Sequence, residues 1–133
     1  MKVLVDTSIW SLALRRGSDT ESALIIDLRN LIADDRVVMI GAIRQEILSG
    51  VRDDRQFKEL ETRLDAFPDM PVAGEDHVAA ARFFNLCRAK GIQGSNTDFL
   101  ICAVAARHRL AIFTTDKDFS LFAKILPIML YRQ

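Results

Sequence analysis

Short apolar runs alternate along the chain with stretches in which apolar residues recur every three or four positions. Three runs, at residues 2–6, 36–40 and 111–115, predict buried strands, because strands covered on both faces are apolar throughout. Weaker strands are predicted near Val72 and at residues 128–131. Helices are predicted between them, at residues 8–14, from a Ser18-Asp19-Thr20-Glu21 capping box through Leu31, and at residues 43–48, 53–67, 75–89, 96–107 and from Asp118. This alternation predicts one α/β domain over residues 1–133, with a mainly parallel sheet of about four or five strands flanked by helices.

Acidic residues stand where these predicted elements end or begin. Asp6 and Asp116 each follow an apolar strand, Asp98 lies in the first turn of an apolar helix, and Glu46 lies beside the apolar stripe of its helix. Each acid alone is equally explained by helix capping or by a solvated helix face. Together they predict a site, because the carboxyl ends of parallel strands meet at one edge of a sheet.

Clustered carboxylates repel one another, so such a site is expected to hold a cation. Oxygen ligands favour a hard ion, Mg²⁺ with Mn²⁺ as a substitute. The chemistry that this supports is metal-assisted phosphodiester hydrolysis, with one or two ions. We expect Asp6, Asp98 and Asp116 to bind the metal. Glu46 is expected to bind metal, to hold a metal-bound water or to act as general base. Hydrogen bonds from Thr7, Thr114 or Thr115 are expected to orient the ligands. Asp118 either reaches the metal or caps the next helix.

The charge balance limits how this chain can bind nucleic acid. Lys plus Arg and Asp plus Glu are both 18, so the net charge of +0 excludes a strong non-specific grip but permits a local basic patch. Arg15, Arg16 and Lys117 are the predicted RNA contacts, because they follow the elements that carry Asp6 and Asp116. For any one of them, a solvated helix face is the competing explanation.

The remaining chemistry-bearing residues point to structural roles. Cys87 and Cys102 lack CxxC spacing and are expected to be buried free thiols, and His77 and His108 lack partners at metal-ligand spacing. The apolar runs are too short to span a membrane, and Asp6 interrupts any signal-peptide core, so a cytoplasmic location is expected.

Four segments in order resemble one known family. They are Asp6-Thr7-Ser8, Glu46-Ile47-Leu48-Ser49-Gly50, Thr97-Asp98-Phe99-Leu100-Ile101 with Ala103, and Thr114-Thr115-Asp116-Lys117-Asp118-Phe119. The chain is similar over its whole length to PIN-domain proteins, in particular VapC-type toxin ribonucleases. The resemblance implies a PIN-like fold, a magnesium-dependent endoribonuclease, an antitoxin partner of the VapB type and a homodimer. The family's acidic residues fall on Asp6, Glu46, Asp98 and Asp116, and Asp118 matches an accessory acid of some members.

Three other functions compete with a toxin ribonuclease. An enzyme that forms an aspartyl-phosphate typically carries a second acid two residues after its nucleophile, and Ser8 stands there instead. A PIN-fold protein acting in RNA processing, or as a non-catalytic partner-binding module, is also consistent with the motifs. The complete acidic set disfavours the module, because an unused cluster of like charges destabilises a fold.

Overall fold

Four parallel strands form the centre of the fold. The computed structural model describes residues 1–14 and 22–131, and its strands are β1 (Val3–Val5), β2 (Val37–Val38), β3 (Ala111–Phe113) and β4 (Met129–Leu130). Their order is β2-β1-β3-β4. Val5 of β1 pairs with Phe113 of β3, so the residues that follow these two leave the sheet at the same edge.

Helices occupy most of the rest of the described chain. They are α1 (Thr7–Leu14), α2 (Ala23–Ala33), α3 (Gly41–Ser49), α4 (Asp54–Leu64), α5 (Gly74–Ala89), α6 (Asn96–His108) and α7 (Asp118–Ala123). The predicted α/β class and parallel sheet are confirmed. No helix in the described part of the chain is both long enough and apolar enough to cross a membrane.

The differences from the sequence-based expectations have local causes. The prediction of a strand near Val72 is wrong, since the described residues form no strand there and the nearby pairing is a single bridge between Met39 and Asp69. Pro68 and Pro71 flank that bridge, and proline lacks the backbone donor that a strand ladder requires. The predicted helix over 53–67 ends at Leu64. The capping box predicted at residues 18–21 lies outside the described residues.

The core includes side chains of the sheet and of helices α1 to α7, and α6 contributes more buried residues than the other helices described, which explains why it is apolar nearly all round. Every residue of β1 and β3 is buried, and α6 buries Phe99 and the segment 101–105. The Phe99 and Phe122 rings lie 4.8 Å apart between centroids. A Cβ at Gly94 would lie 2.6 Å from the Phe122 ring, so the segment leading to α6 can approach this ring pair only because residue 94 is glycine. Cys87 and Cys102 are buried free thiols, as expected.

One buried ion pair joins α5 to α6. Asp76 is 1% exposed and accepts hydrogen bonds from Arg107 Nε at 2.6 Å and Nη2 at 2.8 Å, and from the Ala73 backbone at 2.9 Å. The Arg107 hydrogen bond lowers the pKa of Asp76 in spite of burial, which alone would raise it. The sequence analysis did not identify this pair, whose members are 31 positions apart.

Candidate active site

Asp6 is the buried centre of the acidic cluster. It follows β1 directly, is 6% exposed, and its backbone N–H donates to Phe113 O at 2.9 Å. Two hydroxyls donate to its Oδ2 at 2.8 Å, from Ser8 at the start of α1 and Thr114 after β3. Because the pairing of β1 with β3 is parallel and in register, two segments 108 positions apart meet at this one oxygen.

The same threonine, Thr114, links Asp116 to Asp6 by hydrogen bonds. The backbone N–H of Asp116 donates to Thr114 Oγ1 at 3.0 Å, and Asp116 Oδ1 accepts the Asp118 N–H at 2.9 Å. The latter bond closes a turn just before α7, whose N-cap is Lys117, so Asp116 orders the entry to that helix as well as belonging to the cluster. Asp118 itself is exposed and supplies only its backbone N–H to these contacts.

Glu46 reaches the cluster from α3. Its side chain is exposed, and Thr7 Oγ1 donates to its Oε1 at 2.7 Å. Thr7 is the neighbour of Asp6, so this bond ties α3 to the end of β1. Thr115 is exposed and contributes through its backbone, whose N–H donates to Ser8 Oγ at 3.1 Å.

Asp98 approaches from the start of α6 and forms a capping box with Ser95. Ser95 Oγ accepts the Asp98 N–H at 3.1 Å, and Asp98 Oδ2 accepts the Ser95 N–H at 3.0 Å. Burial raises the pKa of the Asp98 carboxyl above its usual value, and the charges of Asp116 and Asp6 raise it further, against the opposing Ser95 bonds. Asp116 and Asp6 therefore each lie within electrostatic reach of Asp98.

Each of the four acids has one oxygen engaged by the protein and a second oxygen that accepts no hydrogen bond from the described residues. The engaged atoms are Asp6 Oδ2, Glu46 Oε1, Asp98 Oδ2 and Asp116 Oδ1. An all-oxygen set of this kind fits a hard divalent cation. Within residues 1–14 and 22–131, no three Asp, Glu, His or Cys side chains lie close enough to enclose one ion.

One arginine near the site is already engaged by the protein. Arg44 follows the start of α3, but its guanidinium donates to Asp69 Oδ1 at 3.0 Å and to the carbonyl oxygens of Leu64 and Phe67. Lys117 is exposed beside Asp116. Arg15 and Arg16, the other predicted RNA contacts, lie outside the described residues.

Two serines belong to the site although the sequence analysis assigned neither to it. Ser95 was identifiable, because Ser95-Asn96-Thr97-Asp98 has the spacing of a capping box. Ser8 carried no comparable pattern: its partners Thr114 and Thr115 are brought close only by the sheet.

Comparison with known proteins gives the family of this chain. The family model described as "PIN domain" matches residues 3–125, which include all four acids. This chain belongs to the PIN-domain family. Two relatives are each 35% identical over 127 residues, covering 92% of both chains: VapC ribonuclease Mb1587 of Mycobacterium bovis and ribonuclease VapC11 of Mycobacterium tuberculosis. VapC-type PIN nucleases are metal-dependent.

Solved structures share the fold of this PIN domain at lower sequence identity. FitAcB from Neisseria gonorrhoeae superposes with a TM-score of 0.77 at 21% identity, covering 97% of this chain and 96% of that one. VapBC2 from Rickettsia felis, bound to a DNA fragment from its promoter, gives a TM-score of 0.77 at 16% identity and 98% coverage of both chains. At these identities the likeness establishes the fold.

The capping box predicts a measurable role for Ser95. Ser95→Ala should lower the free energy of unfolding by about 1 kcal/mol, because the Asp98 N–H loses its acceptor. Ser95→Thr keeps a hydroxyl and should stay within a few tenths of a kcal/mol of wild type. Urea unfolding of the three metal-free proteins measures this, and equal stabilities of Ser95→Ala and wild type would contradict it.

The raised pKa of Asp98 predicts how stability depends on pH without metal. A raised folded-state pKa means that the folded protein binds more protons, so the contribution of Asp98 is present at low pH and is lost as pH rises through that pKa. An asparagine side chain cannot ionise, so Asp98→Asn should be more stable than wild type near neutral pH. The difference should vanish below about pH 4, the unfolded value. Thermal melts across pH in chelator test this, and a variant less stable at neutral pH would disprove it.

Proposed function

We propose that this PIN domain is a metal-dependent endoribonuclease that acts in the cytoplasm as the toxin of a type II toxin-antitoxin pair. One observation carries the proposal. In a chain 35% identical to VapC ribonucleases, the buried Asp6 carboxylate lies at the carboxyl edge of a parallel sheet, within electrostatic reach of Asp98 and linked to Asp116 through the Thr114 hydroxyl. Metal-assisted hydrolysis of a phosphodiester is the chemistry that such an oxygen cluster supports.

Asp6, Asp98 and Asp116 are the residues assigned to the metal. Their unengaged oxygens are Asp6 Oδ1, Asp98 Oδ1 and Asp116 Oδ2. We assign Mg²⁺, with Mn²⁺ as a substitute, because all donors are hard oxygens. When bound, the ion supplies positive charge that neutralises the phosphate and acidifies water.

The other residues of the site orient these groups and move a proton. Ser8 and Thr114 hold the Asp6 carboxylate through Oδ2, which fixes the direction of its other oxygen. Thr7 holds Glu46 by Oε1, and Oε2 is then free to accept the proton of the attacking water. Lys117, exposed beside Asp116, is suited to contact an RNA phosphate.

The partners of this chain follow from the same family. The related structures VapBC2 and VapBC-1 are complexes named for a toxin and an antitoxin, and we propose a VapB-like antitoxin and a homodimer here. The apolar residues of α2 are divided between the core and the surface, where a second copy could cover them. In α2, Leu28 and Leu31 are buried in the core, whereas Ile26 and Ile32 stay 40% and 39% exposed.

The purified protein should cut single-stranded RNA with Mg²⁺ or Mn²⁺ and stop when a chelator is added. Asp98→Asn should lower the cleavage rate at least roughly 100-fold, since loss even of a group that only orients a ligand costs roughly 10- to 100-fold. Gel analysis of a labelled RNA measures the rate. Cleavage that persists in excess chelator would refute the metal requirement.

A matched control tests whether loss of any acidic residue, or only of one in the cluster, slows cleavage. Asp34→Asn removes an exposed acid that precedes β2, at the opposite edge of the sheet. It should leave the cleavage rate within about twofold of wild type, as surface substitutions away from a site have small effects. An equal loss in both variants would mean that the four acids are not the catalytic group.

Toxicity and its relief should depend on the same acids. Expression of the wild-type chain alone should arrest bacterial growth, Asp98→Asn at equal protein level should not, and co-expression of the antitoxin from the adjacent reading frame should restore growth. Growth curves with immunoblots measure this. Equal growth arrest by wild type and Asp98→Asn would mean that toxicity does not require cleavage and would favour a partner-binding role.

A further inference from the structure

A cavity of about 450 Å³ opens between α5 and α6. This volume falls within the range of sites that take small organic groups, roughly 300–1,000 Å³. Its α6 wall includes Thr97, the residue immediately before Asp98. The chemically distinctive lining residues are His77, Phe84, Asn85, Asn96, Thr97 and Leu100.

The lining combines a fixed aromatic ring with neutral hydrogen-bonding groups. Phe84 packs edge-on against Phe99 at 5.5 Å, and the Arg88 guanidinium lies 5.4 Å from the centre of its ring. Asn85 accepts a hydrogen bond from Arg88 at 3.1 Å, which leaves its amide N–H groups as donors. Proteins bind unstacked RNA bases with an aromatic ring for stacking and with amide or imidazole groups for hydrogen bonds to the base.

The charge distribution supports an occupant held by its base. The chain has a net charge of +0, and Arg44 is engaged by Asp69 and two backbone carbonyls. Stacking of a base is a sequence-tolerant source of affinity, which adds to phosphate contacts such as the one proposed for Lys117. Because Thr97 adjoins Asp98, a base in the cavity belongs to a nucleotide close to the phosphate at the acidic cluster.

We propose that this cavity binds a nucleobase of single-stranded RNA beside the phosphate that is cut. The inference rests on the proposed ribonuclease function and adds where the strand is held. It also gives a role to His77, which is exposed at the cavity although its sequence context predicted a structural residue.

Two substitutions alter the cavity without entering the core. Asn85→Leu keeps the approximate shape but removes the hydrogen-bonding edge, and Ala81→Trp fills the space from an exposed lining position of α5. The matched control is Ala89→Trp, the same change at an exposed position of the same helix that does not line the cavity. Circular dichroism melts establish that each variant is folded.

Binding of a short, fluorescein-labelled, mixed-sequence RNA is measured by anisotropy in chelator, so that binding is observed without cleavage. Ala81→Trp should weaken binding roughly tenfold, as loss of one base–aromatic contact does. Asn85→Leu should weaken it by roughly the same factor, because the base loses its hydrogen-bond partner, and Ala89→Trp should bind like wild type. Wild type should also bind an otherwise identical RNA of abasic nucleotides roughly tenfold more weakly. Unchanged affinity in both cavity variants would overturn the proposal.

Light scattering and cleavage with Mg²⁺ separate the remaining explanations. Val78 and Leu86 of α5 are 57% and 51% exposed, so this face is also suited to a second copy of the chain. If the cavity variants halve the particle mass as they lose RNA, the cavity is a contact between copies and the proposal is wrong. If wild type binds RNA through the cavity but does not cut it, the nucleobase site stands and the ribonuclease function fails.

Discussion

The parallel register of β1 against β3 is the constraint on which the acidic site depends. It places Asp6 and Thr114 directly after Val5 and Phe113, so that a buried carboxylate meets a hydroxyl from a segment 108 positions away. A shift of one residue would turn the side chains of a strand to the opposite face. Asp6 would then be buried without its donors, at a cost of several kcal/mol for an unpaired charge. The buried β1 and β3 side chains therefore fix the chemistry as well as the fold.

Sequence periodicity predicted where the acids emerge but not what holds them. Strand ends and helix starts are local features, so the positions of Asp6, Asp98 and Asp116 followed from apolar runs alone. The partnership of Ser8 with Thr114 depends on which strands are neighbours, and no local pattern encodes that. The Ser95–Asp98 capping box is the opposite case, because its spacing is local and was available in the sequence. The same division explains why Val72 was assigned to a strand, as its apolar context is local whereas pairing is not.

Position in the sequence does not show whether a cation is available to RNA. Arg44 adjoins the Glu46 helix turn, yet it fastens α3 to the segment after α4 through Asp69 and two carbonyls. Arg107 is likewise committed, to the buried Asp76. A guanidinium carries five donors in a rigid fork, which suits it to join chain segments as well as to bind phosphate. A count of arginines in the sequence includes both kinds of role, and only the fold shows which arginine has which.

Asp98 and Asp116 each combine a hydrogen bond at the start of a helix with a place in the cluster, and this double use reconciles crowding with stability. One oxygen of each accepts a backbone N–H at the start of α6 or α7, where the helix dipole favours negative charge. That interaction offsets part of the repulsion which the remaining oxygens create around Asp6. An amide side chain keeps an acceptor oxygen for the cap and loses only the charge. Aspartate-to-asparagine changes at these two positions therefore separate charge from fold, whereas alanine would remove both at once.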